Sequence, residues 1–127
     1  MEQIGGTHYA EKAFEPIVFI ENWKLPFSVG NVVKYLCRYK EKGGVQDLRK
    51  AIQYLEFVQR FDVVVPHVPS EAVDRFVVTN QLTWLECIVL ILLLRLGDCA
   101  VEDRWFWFNA CKEAIDDLID AYEESIA

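Results

Sequence analysis

Val29, Val32, Val33, Leu36 and Cys37 recur at the spacing of one helix face, and Leu48, Ile52, Leu55 and Val58 do the same further along. Between the two stripes stands Gly43-Gly44, a pair that ends a helix and permits a tight turn. Two helices joined by a tight turn are expected, and they form a hairpin if they pair antiparallel. Its first arm is expected from an N-cap at Ser28 to about Glu41 and its second from about Gln46 to Phe61. The flanks follow the same period. Phe14-Glu15-Pro16 opens a helix, with proline in the first turn where its missing N–H costs nothing; Ile17, Phe19, Ile20 and Trp23 follow, and Pro26 closes it. Val63 to Pro69 reads as an extended, proline-punctuated crossing and as the internal boundary between residues 1–61 and 62–127. Beyond it, Ser70 caps a short helix over Glu71 to Val78, and a longer helix covers about Gln81 to Leu96 and stops at Gly97. A last helix spans about Glu102 to Glu124, with Asp98 or Asp103 near its positive end. The expected fold is all-α, a compact bundle of about five to six helices in a single domain over residues 1–127.

At 127 residues and 53% hydrophobic, the chain buries enough surface to fold without a disulfide or metal staple. The longest apolar run, Ile88 to Leu94, falls far short of the roughly 20 residues a membrane span needs, and no basic segment precedes an apolar stretch at the start. Cys37, Cys87, Cys99 and Cys111 occur singly, and His8 and His67 lie far apart, which argues against a zinc site and fits reduced thiols in a cytoplasmic protein. Two stretches exceed what a small monomer can cover. Leu90 to Leu94 and Trp105-Phe106-Trp107-Phe108 each point apolar side chains around most of a helix circumference. Either one helix is wrapped by all the others or copies of the chain associate; a homo-oligomer is the expectation.

The net charge of −7 conceals a split. Residues 61–127 carry thirteen acidic groups against four basic, whereas residues 28–60 carry seven basic against three acidic. A positive field set in an acidic protein does not suit duplex nucleic acid, which calls for positive charge overall; it suits a small phosphorylated ligand.

The cations fall on patterned positions. Asn31, Lys34, Tyr35 and Arg38 stand at i, i+3, i+4 and i+7, a polar stripe able to reach a common point. Lysine and arginine supply charge and donor forks for phosphate, asparagine donates and accepts, and tyrosine offers a ring and a hydroxyl. Asp47, Lys50, Ala51 and Tyr54 repeat the spacing across the turn, so an antiparallel hairpin clusters Arg38, Lys42, Asp47 and Lys50. The same pattern also describes a solvated outer face, and Asp47 also fits as a capping or salt-bridging residue. No P-loop, nucleophile elbow, H-E-x-x-H or EF-hand loop is present. Glu113, Asp116, Asp117 and Asp120 are spaced to hold Mg²⁺, as a small pyrophosphohydrolase would need, yet they alternate with Ile115, Leu118, Ile119 and Tyr122 as a solvated face does.

Taken in order, His8-Tyr9, Phe14-Glu15-Pro16-Ile17, Gly30-Asn31-x-x-Lys34-Tyr35-x-x-Arg38, Lys42-Gly43-Gly44 and Asp47-Leu48-x-Lys50-Ala51-x-x-Tyr54-Leu55 resemble the short bacteriophage proteins of the DUF3310 family, over about residues 7–58. Members of that family are often labelled nucleotide kinase, because the segment resembles the C-terminal part of a podophage enzyme that phosphorylates deoxynucleoside monophosphates without a P-loop. The resemblance implies a phage protein acting in the cytoplasm of the infected host on a nucleotide, with Mg²⁺ arriving on a nucleotide triphosphate. It implies His8 and Asp47 as catalytic residues. Tyr9, Asn31, Lys34, Tyr35, Arg38, Lys42, Lys50 and Tyr54 would bind the nucleotide and its phosphates. The alternative is a multimeric, non-catalytic binder that sequesters a host nucleotide or nucleotide signal with the same stripe.

Overall fold

A computed structural model describes residues 7–127, with side chains from residue 15 onward. The elements are α1 (Thr7–Asn22), α2 (Phe27–Arg38), α3 (Val45–Arg60), α4 (Ser70–Thr79), α5 (Trp84–Arg95), a 3-10 turn (Val101–Asp103) and α6 (Arg104–Ile126), with no strand among the described residues. The protein is all-α, as its periodicity required. The hairpin of α2 and α3 is the centre: α3 packs on α6, α6 on α5, and α1 on α2 and α4. One apolar cluster joins them, with Val29, Val32 and Leu36 of α2, Leu48 and Leu55 of α3, Leu90 and Leu93 of α5 and Ile115 of α6 all removed from solvent. Each such side chain contributes about 1.5–3 kcal/mol by leaving water.

The differences from the expected boundaries have physical causes. α1 begins at Thr7, so Pro16 lies inside a helix and does not open one. The ring fits a helical φ and forfeits one backbone hydrogen bond, and the continuing helix outweighs that loss. Ser28 and Ser70 are not N-caps. Pro26 and Pro69 take that position with extended backbone, and their carbonyls accept the first helical bonds from Gly30 (2.8 Å) and Val73 (3.2 Å). α5 starts later than expected, at a capping box: the Thr83 side chain accepts from the Glu86 N–H while the Glu86 carboxylate accepts from the Thr83 N–H.

Three helices end on a non-glycine residue in the left-handed region, Lys24, Asp62 and Gln81. In each case the next residue donates five back, Leu25 to Ile20, Val63 to Val58 and Leu82 to Val77, which is the Schellman closure with its following apolar residue. The extended crossing is packed and does not behave as a linker. Val65 and Val68 are buried, and the backbone at Gly97 approaches so closely that a Cβ there would sit 2.6 Å from the Val65 carbonyl oxygen. The two apolar stretches of the second half are only partly covered: Leu90, Leu93, Leu94 and Phe108 are buried, while Ile91, Trp105 and Phe106 face solvent.

Candidate functional site

The outer side of α2 forms one wall of a groove of about 630 Å³ whose opposite wall is α1. Ile17, Ile20, Leu25 and Phe27 give it an apolar side, Asn31, Lys34, Arg38 and Lys42 a polar and cationic one, with Glu21 and Glu41 at its edges and the buried Asn80 entering from the end of α4. Gly30 faces α1 closely: a Cβ there would stand 3.0 Å from the Ile20 side chain. A side chain at this position would crowd the Ile20 side chain.

Behind this wall, between α2 and α3, Lys34 Nζ, Arg38 Cζ and Lys50 Nζ lie 4.8, 5.1 and 5.6 Å from the centre of the Tyr35 ring. That ring is buried and stacks on Tyr54 at 6.0 Å, and Tyr54 meets Phe27 edge-on at 5.9 Å. Three cations around one ring repel one another, and a single carboxylate is set among them. Asp47 is buried. It accepts hydrogen bonds from Arg38 Nε and the Gly43 N–H, both at 3.0 Å, and lies 4.0 Å from Lys50. Burial alone would raise its carboxyl, but the Arg38 and Gly43 hydrogen bonds, with the charges of Arg38 and Lys50, outweigh it and hold the group below the usual carboxylate range. Around the Tyr35 ring three cations thus meet one carboxylate, while the groove beside it sets Lys34, Arg38 and Lys42 against Glu21 and Glu41.

The stripe on α2 therefore divides. Asn31, Lys34 and Arg38 reach the groove together with Lys42; Tyr35, Lys50 and Tyr54 do not line it, although Tyr35 and Lys50 belong to the cation cluster beside it. Ala51 is core. Asn31 donates back to the Phe27 carbonyl at 2.9 Å, which fixes its amide against the helix. The side chains of His8 and Tyr9 lie outside the described residues. Asp47 Oδ2 accepts both hydrogen bonds, from Arg38 and Gly43, and Oδ1 lies 4.0 Å from Lys50, so the carboxylate sits in the cation cluster and does not line the groove. Glu113, Asp116, Asp117 and Asp120 all face solvent while Ile115, Leu118 and Ile119 are buried, and no group of three metal-ligating side chains gathers among the described residues.

A second set of polar contacts, not read from the sequence, holds α2 in place. Glu86 is buried at the start of α5, where its carboxylate accepts from the Tyr39 hydroxyl at 2.5 Å and from the Thr83 N–H at 2.9 Å and pairs with Lys40 at 3.0 Å. Burial first, and then the hydrogen bond and charge of Glu86, push the Tyr39 hydroxyl well above the ordinary phenol range. The signal was there to find: Thr83-x-x-Glu86 is a capping-box pattern, and Glu86 is the sole acid in an apolar helix.

Fold and site together define an all-helical protein with a cationic groove on a helical hairpin. Residues 5–56 match the family model DUF3310, described as a protein of unknown function, so α1, α2 and most of α3 are similar to that family and the groove lies almost wholly within the matched segment. No curated protein and no solved structure matches the chain. No helix among the described residues is long and apolar enough to cross a membrane.

Proposed function

We propose that the protein binds a nucleotide in the groove between α1 and α2, with the phosphate held by Lys34, Arg38 and Lys42 and the base lying along Phe27, Ile17 and Ile20. The observation that carries this reading is the meeting of an apolar wall with three cations, Lys34, Arg38 and Lys42, in one groove. Phe27 is 76% exposed, which leaves a ring face available, and it precedes Lys34 by seven residues, about 10 Å along the helix axis. A ligand with a planar, weakly polar part at one end and an anion at the other matches that separation. Phosphate oxygens would accept from the guanidinium and the two ammonium groups, the stronger class of hydrogen bond.

Asp47 enters as a positioning residue. It fixes the Arg38 guanidinium between the turn and the groove, and its commitment there favours the binding reading over a catalytic role for its carboxylate. The phosphoryl transfer and the phage setting implied by the resemblance belong to the same proposal as its further reach. One experiment tests both levels: the purified protein is incubated with a panel of deoxynucleoside monophosphates, ATP and Mg²⁺, and nucleotides are separated by chromatography beside calorimetric titration. Saturable binding with the nucleotides unchanged supports a binder, and new diphosphate supports a kinase. Absence of binding across the panel overturns the proposal.

A further inference from the structure

α5 is apolar on every side yet covered on only one. Its inner face, Val89, Leu90, Leu93 and Leu94, is buried. Its outer stripe is Trp84, Ile88, Ile91 and Arg95, in which Trp84 is 78% and Ile91 51% exposed. These four positions follow one another at intervals of four, three and four residues, so the stripe has the same spacing from either end. From the geometry we infer that the occupant of this face is α5 of a second copy of the chain, packed antiparallel about a two-fold axis between Ile88 and Ile91.

That arrangement sets Ile88 of each copy against Ile91 of the other and Trp84 against Arg95. The guanidinium is already in an aromatic setting: Arg95 Cζ lies 5.0 Å from the Trp107 ring, and Trp107 in turn lies 5.0 Å from Phe106, which is 57% exposed. An arriving Trp84 would add a second face to the cation and cover the exposed ring. Charge selects the same face. The only acid in α5 is Glu86, which is buried inward against Tyr39 and Lys40. Elsewhere residues 61–127 carry twelve further acids, and two such surfaces repel; the outer face of α5 exposes no carboxylate and one arginine. Trp84, Ile91 and Phe106 expose on the order of 400 Å² per copy, taking about 150–250 Å² for a whole aromatic side chain. With Cys87, Ile88, Leu92 and Arg95 added, two copies reach the lower range of stable interfaces, about 1,200 Å² in total.

The pairing does not rest on the nucleotide reading. Among the described residues the groove is lined from α1, α2, the turns after them and the end of α4, and by none from α5 or α6. Sedimentation equilibrium on the full chain, at micromolar concentration and low salt, reads the mass against the 14.8 kDa monomer. The expected result is twice that mass. Trp84→Lys and Trp84→Glu then remove the same exposed ring without touching the core: the lysine should repel Arg95 of the other copy and weaken the dimer about tenfold or more, while the glutamate should pair with it and hold the dimer several-fold better than the lysine. Raising the salt should narrow that difference. Ile91→Asp, on the same exposed stripe, should also weaken the dimer about tenfold or more. A monomeric wild type, a wild-type dimer indifferent to all three substitutions, or a lysine variant that dimerises as well as the glutamate variant would overturn the inference.

Discussion

Asp47→Asn separates a positioning carboxylate from a catalytic one. The substitution keeps the shape and leaves an oxygen for the Gly43 N–H, but removes the charge that Arg38 contacts at 3.0 Å and Lys50 at 4.0 Å. Gly44, the N-cap of α3, offers no side-chain cap, so Asp47 is also the negative group in the first turn of that helix. A charge-assisted hydrogen bond is worth about 1.5–3 kcal/mol. With the Arg38 side chain 40% exposed, that figure falls toward 1 kcal/mol by solvent screening. The helix-dipole term adds about 0.3–1 kcal/mol. The expected loss is therefore about 1.5–2 kcal/mol, a fall in Tm of roughly 4–8 °C for a domain of this size. Because the folded state lowers the Asp47 pKa from 3.8, its contribution is fully present above that value and disappears as pH falls through the lower folded value. The gap between wild type and variant should thus narrow progressively in urea melts taken below pH 3.8. Binding of a deoxynucleoside monophosphate should weaken a few-fold without being lost, since Arg38 keeps its charge and loses only the carboxylate that positions it. An unchanged Tm at pH 7, or abolished binding in a variant that still folds, would refute this assignment.

Tyr39→Phe leaves the buried Glu86 without one of its donors and should cost about 1–3 kcal/mol in denaturant melts, with Glu86→Gln milder because its amide still accepts from Thr83. At alkaline pH the whole protein should lose stability. Burial pushes the Cys111 thiol up to about 12 and raises the Tyr39 hydroxyl further, so above about pH 9 the unfolded chain releases protons that the folded chain keeps. Stability then falls by about 1.4 kcal/mol per pH unit per group, and Tyr39→Phe should flatten the part of the slope above pH 10. Gln81→Gly removes a left-handed non-glycine residue from the end of α4 and should raise stability by about 0.5–1 kcal/mol, read as a shift in urea midpoint at constant slope.

The hairpin was legible because its two stripes and the intervening glycine pair obey one period, and α3 was located to within a residue at each end. The helix starts were less so. Serine and proline both mark a start, and where they lie within two residues of each other the extended proline wins, leaving Ser28 and Ser70 inside the first turn. Spacing placed Asn31, Lys34, Tyr35 and Arg38 on one stripe but could not say that Tyr35, turned toward α3, would be buried against Tyr54 while its neighbours reached the groove. The apolar side of the groove was invisible because it comes from α1, whose packing angle depends on contacts with α2 and α4 that no local pattern encodes. Glu86 was overlooked because an acid in an apolar run resembles a boundary until its partners Tyr39 and Lys40, almost fifty residues earlier, are seen beside it.

The most direct measurement compares calorimetric titrations of one deoxynucleoside monophosphate and its parent nucleoside into the wild type and Lys34→Ala. Lys34 is exposed at the groove and takes no part in the core, so its loss should leave folding intact and weaken the monophosphate by roughly 5–30-fold, about 1–2 kcal/mol for one charged contact. The nucleoside should bind far more weakly than the monophosphate and show no dependence on Lys34. Equal affinity for nucleoside and monophosphate, or a monophosphate affinity unmoved by Lys34→Ala, would contradict a phosphate site on α2.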